Sequence, residues 1–246
     1  MKKIFITLLF INLNLAAQEN NKKLPTGFIY GAGVAYQQQI YKGFDQRTIA
    51  IPLLGYVGEK LNVFGPFINY SLLRKNDWSF DLNLAPRFSG YDEGDSDFFI
   101  GMQKRKDSLD AGFTVKYNPN KWSYQLKALT DVLSNSKGSE FEINITRKFR
   151  YKFLTVEPAL SVQHYDKNLS NYYYGVMQDE VALLRPSYQA SSTINKSLKL
   201  SVYSPIPIGL VRLDLTNNWF GSEITNSPLV DSKQALSARL FFVTYF

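Results

Sequence analysis

His164 is the only histidine in the chain, and in "HYD" it stands two residues before Asp166. An imidazole beside a carboxylate raises general acid–base chemistry first, with the carboxylate orienting the base. Hydrolysis would also need a nucleophile or an activated water within hydrogen-bond reach of that base. A zinc site built from nitrogen and sulfur is out of reach for a sequence with one histidine and no cysteine. Asp92, Glu93, Asp95 and Asp97 offer oxygen ligands for calcium. They lack the ordered spacing and closing bidentate glutamate of a defined calcium loop, and a solvated acidic loop fits them better. "GAG" at Gly31–Gly33 lies in strand-like sequence and opens no helix, so it is no phosphate cradle. These residues predict no enzyme, no metal and no cofactor.

The element that carries His164 explains why. Leu154, Val156, Leu160 and Val162 alternate there with Thr155, Glu157, Ser161 and Gln163. His164 shares parity with the apolar set, which places it on an outer apolar face near a strand end. The same period of two runs through Trp78–Phe88, where Trp78, Phe80, Leu82, Leu84 and Phe88 alternate with Ser79, Asp81, Asn83 and Arg87. It recurs in 108–117, 121–132 and 139–149, separated by turn clusters such as "NPNK". Strands of this length suit a bilayer, which needs about nine to eleven tilted residues with apolar side chains outward. A soluble β-sandwich also alternates, but the long strands, charged polar faces and aromatic strand ends weigh against it. The fold class expected is all-β: a closed antiparallel transmembrane barrel of about twelve strands, with ten as the alternative. Spans of 27–37, 48–57, 60–70 and 76–88 precede the segment Gly90–Ser108. The later spans are 108–117, 121–132, 139–149, 151–164, 185–194, 196–204, 207–220 and 234–246.

The inward set Asp81, Arg87, Asp110, Lys116, Lys127, Glu142 and Glu157 lines a pore or pairs to fill the lumen. In a barrel of this size a filled or narrow lumen is expected, since open channels belong to barrels of about sixteen strands. At the end of the chain Leu236, Ala238, Leu240, Phe242 and Thr244 share one face, and Phe246 is terminal. Phe246, Phe242 and Leu240 resemble the C-terminal signal read by the barrel assembly machinery. The last strand is expected to pair with the first, so that no edge is left unsatisfied in lipid.

"MKKIFITLLFINLNLAAQ" has the charged start, apolar run and small residues of a signal peptide. Residues 1–17 are therefore expected to be removed, leaving the barrel domain 18–246 in the outer membrane among its lipids and lipopolysaccharide. The formal charge is +7, but Lys and Arg are spread along the chain, which argues against a nucleic-acid partner.

Two stretches break the alternation, Gly90–Ser108 and Tyr165–Leu184, with "FFIGM" in one corresponding to "YYYGV" in the other. "GMQKRKDSLDAG" (Gly101–Gly112), "YYYGV" followed by Glu180 and Tyr188, "NSPLV" (Asn226–Val230) and the aromatic ending resemble the MipA/OmpV family. The resemblance covers nearly the whole mature chain. It implies an outer-membrane protein without known catalysis, a scaffold bringing a lytic murein transglycosylase near a murein synthase. Other family members are linked to adhesion, and a narrow diffusion channel, a surface adhesin or, less readily, a barrel hydrolase are the alternatives. With four strands before residue 90 the two long stretches fall on the periplasmic side, against the rule that long loops face outward. On that reading Phe98, Phe99, Tyr172, Tyr173 and Tyr174 are candidate anchors for a partner, with packing inside the barrel mouth as the alternative.

Overall fold

The computed structural model describes residues 26–245, so the expected signal peptide and Phe246 lie outside the described residues. Alternating apolar and polar residues build thirteen strands. These are β1 (Gly27–Gln38), β2 (Gln46–Val57), β3 (Leu61–Phe64), β4 (Phe67–Lys75), β5 (Trp78–Arg87), β6 (Ser108–Tyr117) and β7 (Trp122–Asp131). They continue as β8 (Ser139–Arg147), β9 (Phe149–Tyr151), β10 (Leu154–Tyr165), β11 (Thr193–Ile206), β12 (Gly209–Trp219) and β13 (Gln234–Tyr245). β8 and β9 flank Lys148 and pair with β10 in one continuous register, Thr146 opposite Ala159 and Phe149 opposite Val156. They form a single stave, and the barrel is a closed antiparallel ring of 12.

Closure runs through β13 and β1, paired from Ile29–Tyr245 to Gln37–Ser237. Parity decides which side chains go where. Leu240 is exposed on the outer wall and Phe242 shares its face, while Phe241 and Val243 are buried inside. Gly33 faces the Phe241 ring so closely that a Cβ there would stand 2.2 Å from it. A bulkier residue in β1 would drive the closing strand off its register.

The count of twelve was expected, but two of the spans were wrong in compensating ways. The stretch 60–70 is not one strand, because Gly65 turns the chain at a φ of 54° and splits it into β3 and β4. The stretch 185–194 is not a separate strand either. It holds only the bridges Ala182–Arg185 and Val176–Tyr188 before β11 begins at Thr193. Pro186 also has no amide proton to donate to a ladder.

The extra stave before residue 90 changes the geography. Short turns at 58–60, 76–77, 118–121, 152–153 and 207–208 gather at the end where β1 begins and β13 finishes. The connections 39–45, 88–107, 132–138, 166–192 and 220–233 gather at the other. Gly90–Ser108 and Tyr165–Leu184 therefore sit opposite both strand termini, against the expectation that they share the periplasmic side.

Candidate functional site

Inside the ring, charged residues from neighbouring staves face one another. Arg87 lies 2.6 Å from Asp110 and 2.7 Å from Glu140. Lys127 reaches Glu142 at 2.8 Å and Glu140 at 3.8 Å. Lys116 stands 3.5 Å from Asp81, which also accepts a 2.6 Å hydrogen bond from Ser71. Further round, Arg212 meets Asp214 at 3.0 Å and the Tyr203 hydroxyl donates to Glu157 at 2.8 Å. A buried charge is tolerated only when paired and hydrogen-bonded, and these side chains satisfy each other along the lumen wall. All seven inward residues read from the alternation lie in this network. Glu140, which holds two cations, shares the parity of Glu142 and could have been found by carrying the alternation one step further.

The loop end is closed by a lid with its own core. Helix α1 (Lys167–Tyr174), helix α2 (Ser222–Thr225) and the connections around them bury Phe99, Ile224 and Leu229 completely. Tyr91 and Phe99 stack at 4.5 Å, and Tyr41 packs on Tyr91, Phe99 and Tyr174. Burial pushes the Tyr174 phenol up to about 12 and raises Tyr41, Tyr91 and Tyr173 as well. These rings are neutral packing groups, each large one contributing about 2 kcal/mol by burial.

An ion pair locks the two long segments together. Arg105 grips both carboxylate oxygens of Glu180 at 2.7 Å, with each residue almost wholly buried. Glu180 also accepts from the amides of Gln103 and Met177 at 2.9 Å. Burial alone would raise its pKa, but the Arg105 and amide hydrogen bonds prevail and hold it below the usual glutamate value. Arg185 donates to the carbonyls of Phe98, Ile100 and Glu180, fixing the turn that follows. At its tip Leu183 and Leu184 stand exposed. Arg105 and Glu180 escaped the reading of the alternation because they lie where no period exists, and Arg185 because its stretch reads as the start of a strand. The only signal was that Arg105 and Glu180 fall within the family-like stretches.

The candidate anchors are thereby placed. Phe99, Tyr173 and Tyr174 are buried lid core, while Phe98 and Tyr172 are half-buried against it. As packed, the three buried rings offer no surface to a partner, which fits the alternative reading of packing inside the barrel mouth. Tyr172 and Tyr173 instead receive Lys106's amide and donate to its carbonyl, at 2.8 and 3.1 Å.

The groups that first suggested chemistry have separate duties. His164 is exposed on the outer wall. Asp166 caps α1 by accepting from Leu169 at 2.8 Å and also receives the Ser139 amide. In the acidic loop Asp92 accepts from Gly94 and pairs with Lys104, and Glu93 accepts from Gly101. Asp95 stands 3.9 Å from Arg47.

The turn end has a different character. Arg74, Lys75, Lys121, Arg147, Arg150 and Lys152 are exposed around three neighbouring turns. Aromatic rings interleave with them, the Arg147 guanidinium lying 4.9 Å from the Trp122 ring and 5.0 Å from Phe149. This is a basic, aromatic rim.

Comparison with known proteins agrees with this architecture. The family model described as "MltA-interacting protein MipA" matches residues 30–246. "Putative outer membrane protein YiaT" of Escherichia coli is 30% identical over 213 residues, covering 84% of this chain and 86% of that one. "Outer membrane protein OmpV" of Vibrio cholerae is 26% identical and covers 94% of this chain and 95% of its own. "MltA-interacting protein" of Escherichia coli is 27% identical, covering 83% and 84%. A closed barrel with an apolar outer wall, matched over nearly its whole length, belongs to the MltA-interacting protein MipA family of outer-membrane proteins.

Proposed function

We propose that the chain is an outer-membrane scaffold that binds a murein-processing enzyme at its turn end. The observation that carries this reading is the basic, aromatic rim of Arg74, Lys75, Lys121, Arg147, Arg150 and Lys152. Short turns of outer-membrane barrels face the periplasm, where murein and its enzymes lie. Six cations against the single exposed Asp77 of these turns leave the rim net positive, which steers and orients an acidic partner. The relative named MltA-interacting protein supports a lytic transglycosylase as that partner, with a murein synthase as a second. The side chains paired along the lumen wall and the lid folded over the loop end favour this over a diffusion channel, because both narrow the path a solute would take.

The test is capture of a lytic transglycosylase by the folded barrel in detergent. Reversing Arg147, Arg150 and Lys152 to Glu should weaken capture by about tenfold or more, as expected for loss of several interfacial charges. Leu183→Ser on the lid should leave it unchanged. Equal capture by the charge-reversed rim would overturn the reading.

A further inference from the structure

The connection 166–192 folds back on itself and leaves a hollow in the lid. Its volume is about 240 Å³, and Asn171, Met177, Gln178, Ser187, Tyr188 and Gln189 border it. The backbone around it is fixed. Val176 and Tyr188 bridge through amide–carbonyl bonds of 2.9 and 3.0 Å. The Asn171 carboxamide oxygen accepts the Ala190 amide at 3.0 Å, and the Tyr188 hydroxyl donates to the Glu223 carbonyl at 2.9 Å. With its oxygen so engaged, the Asn171 carboxamide has its NH2 left to donate. Gln178, Ser187 and Gln189 are exposed, and their side chains make no hydrogen bond among the described residues. Donors and acceptors without protein partners therefore border one space.

No charged side chain lines this hollow. The carboxylates nearest in sequence are engaged elsewhere. Asp179 accepts from Gln103, Glu180 is held by Arg105, and Glu223 accepts the Ser191 amide. A phosphate, carboxylate or ammonium would meet nothing here to offset the loss of its hydration. A hydrocarbon would leave the amides unsatisfied. What matches the lining is a compact neutral ring with several hydroxyls, each able to give and take a hydrogen bond. The volume falls short of the roughly 300 Å³ at which pockets for drug-sized ligands begin, so it suits a single ring. Met177 and Tyr188 supply apolar surface for the C–H face of such a ring.

We propose that this hollow binds one neutral pyranose unit of a glycan. Long loops of outer-membrane barrels face outward. The unit then belongs either to the saccharide of the surrounding lipopolysaccharide or to a glycan from outside the cell.

The folded barrel in detergent is probed by saturation-transfer NMR with the methyl glycosides of glucose, galactose, mannose and N-acetylglucosamine. The expected result is transfer to the ring protons of at least one of them. Gln178→Ala combined with Gln189→Ala should weaken that binding by about tenfold or more, through loss of their hydrogen bonds. Ser187→Trp, at an exposed position, should fill the hollow and abolish it. Gel mobility without boiling checks that both variants are folded, and should either fail, Gln189→Ala alone gives the same readout with a smaller loss. No transfer to any of these glycosides, or undiminished binding by the folded variants, would overturn the proposal. So would tighter binding of glucuronate or glucosamine than of glucose, because a charged ligand needs a partner that this lining lacks. A second arm repeats the measurement in lipid nanodiscs with and without lipopolysaccharide. Loss of glycoside binding only in the lipopolysaccharide discs identifies the membrane's own saccharide as the occupant, and equal binding in both identifies an external glycan.

Discussion

At the scale of single residues, the Arg105–Glu180 pair tests the lid. Removing one partner leaves the other buried and unpaired, which costs about 3–5 kcal/mol. Glu180→Gln should therefore loosen the lid locally, so that protease cuts 88–107 and 166–192 far faster while the ring stays folded. Unchanged cleavage would mean the pair holds nothing together. The pH dependence has a definite sign. Glu180's pKa is depressed in the folded lid, so its stabilisation is complete above the ordinary glutamate pKa. It is lost as pH falls through the lower, folded value. Protease sensitivity of the wild-type lid should rise under acid, and no such rise in the acid range would contradict the assignment. A separate rise is expected only above the ordinary tyrosine pKa of about 10, where the buried lid phenols ionise on unfolding. Little of this was legible in the sequence, because alternation locates strand residues and says nothing inside a long connection. Phe99 and Tyr173 can be read either as anchors or as packing inside the barrel mouth when only their type is known. Their burial follows from Arg105 and Arg185 tying distant backbone carbonyls together.

At the scale of elements, the period of two carried most of the fold. The seven inward residues and the face of the last strand follow from the pleat, since successive side chains must point to opposite sides. Phe242→Asp puts a charge on the lipid face of β13 and should sharply reduce the fraction of protein reaching the assembled form. Arg239→Gln, on the lumen face, should be milder. Assembly yield measured by gel mobility without boiling distinguishes them, and equal tolerance of both would reverse the assigned parity. What alternation could not supply was the boundary within 60–70. A four-residue stave bounded by Gly58 and Gly65 is too short to display a period, and its omission misplaced both long segments.

At the scale of the whole molecule, the ring closes through paired strands that satisfy their backbone groups internally, so it should resist detergent until boiled. Folded and boiled samples should migrate differently on a gel, and identical migration would argue against a closed barrel. Sidedness has its own test in a chain without cysteine. Leu183, 99% exposed at the tip of the lid, should as Leu183→Cys be labelled by an impermeant thiol reagent on intact cells. Lys152→Cys, on the turn rim, should be labelled only after the envelope is opened. The reverse pattern would turn the barrel over and remove the basis for a periplasmic rim. The pairing of Ile29 with Tyr245 has a further consequence for biogenesis. It joins residues from opposite ends of the described chain, so the seam cannot form until almost the whole polypeptide has been made and exported. Contacts of such high sequence separation are slow to form, and until then both end strands carry open, sticky edges. The nascent protein must therefore stay unclosed until β13 is available, and a chain cut short before β13 leaves β1 without its closing partner.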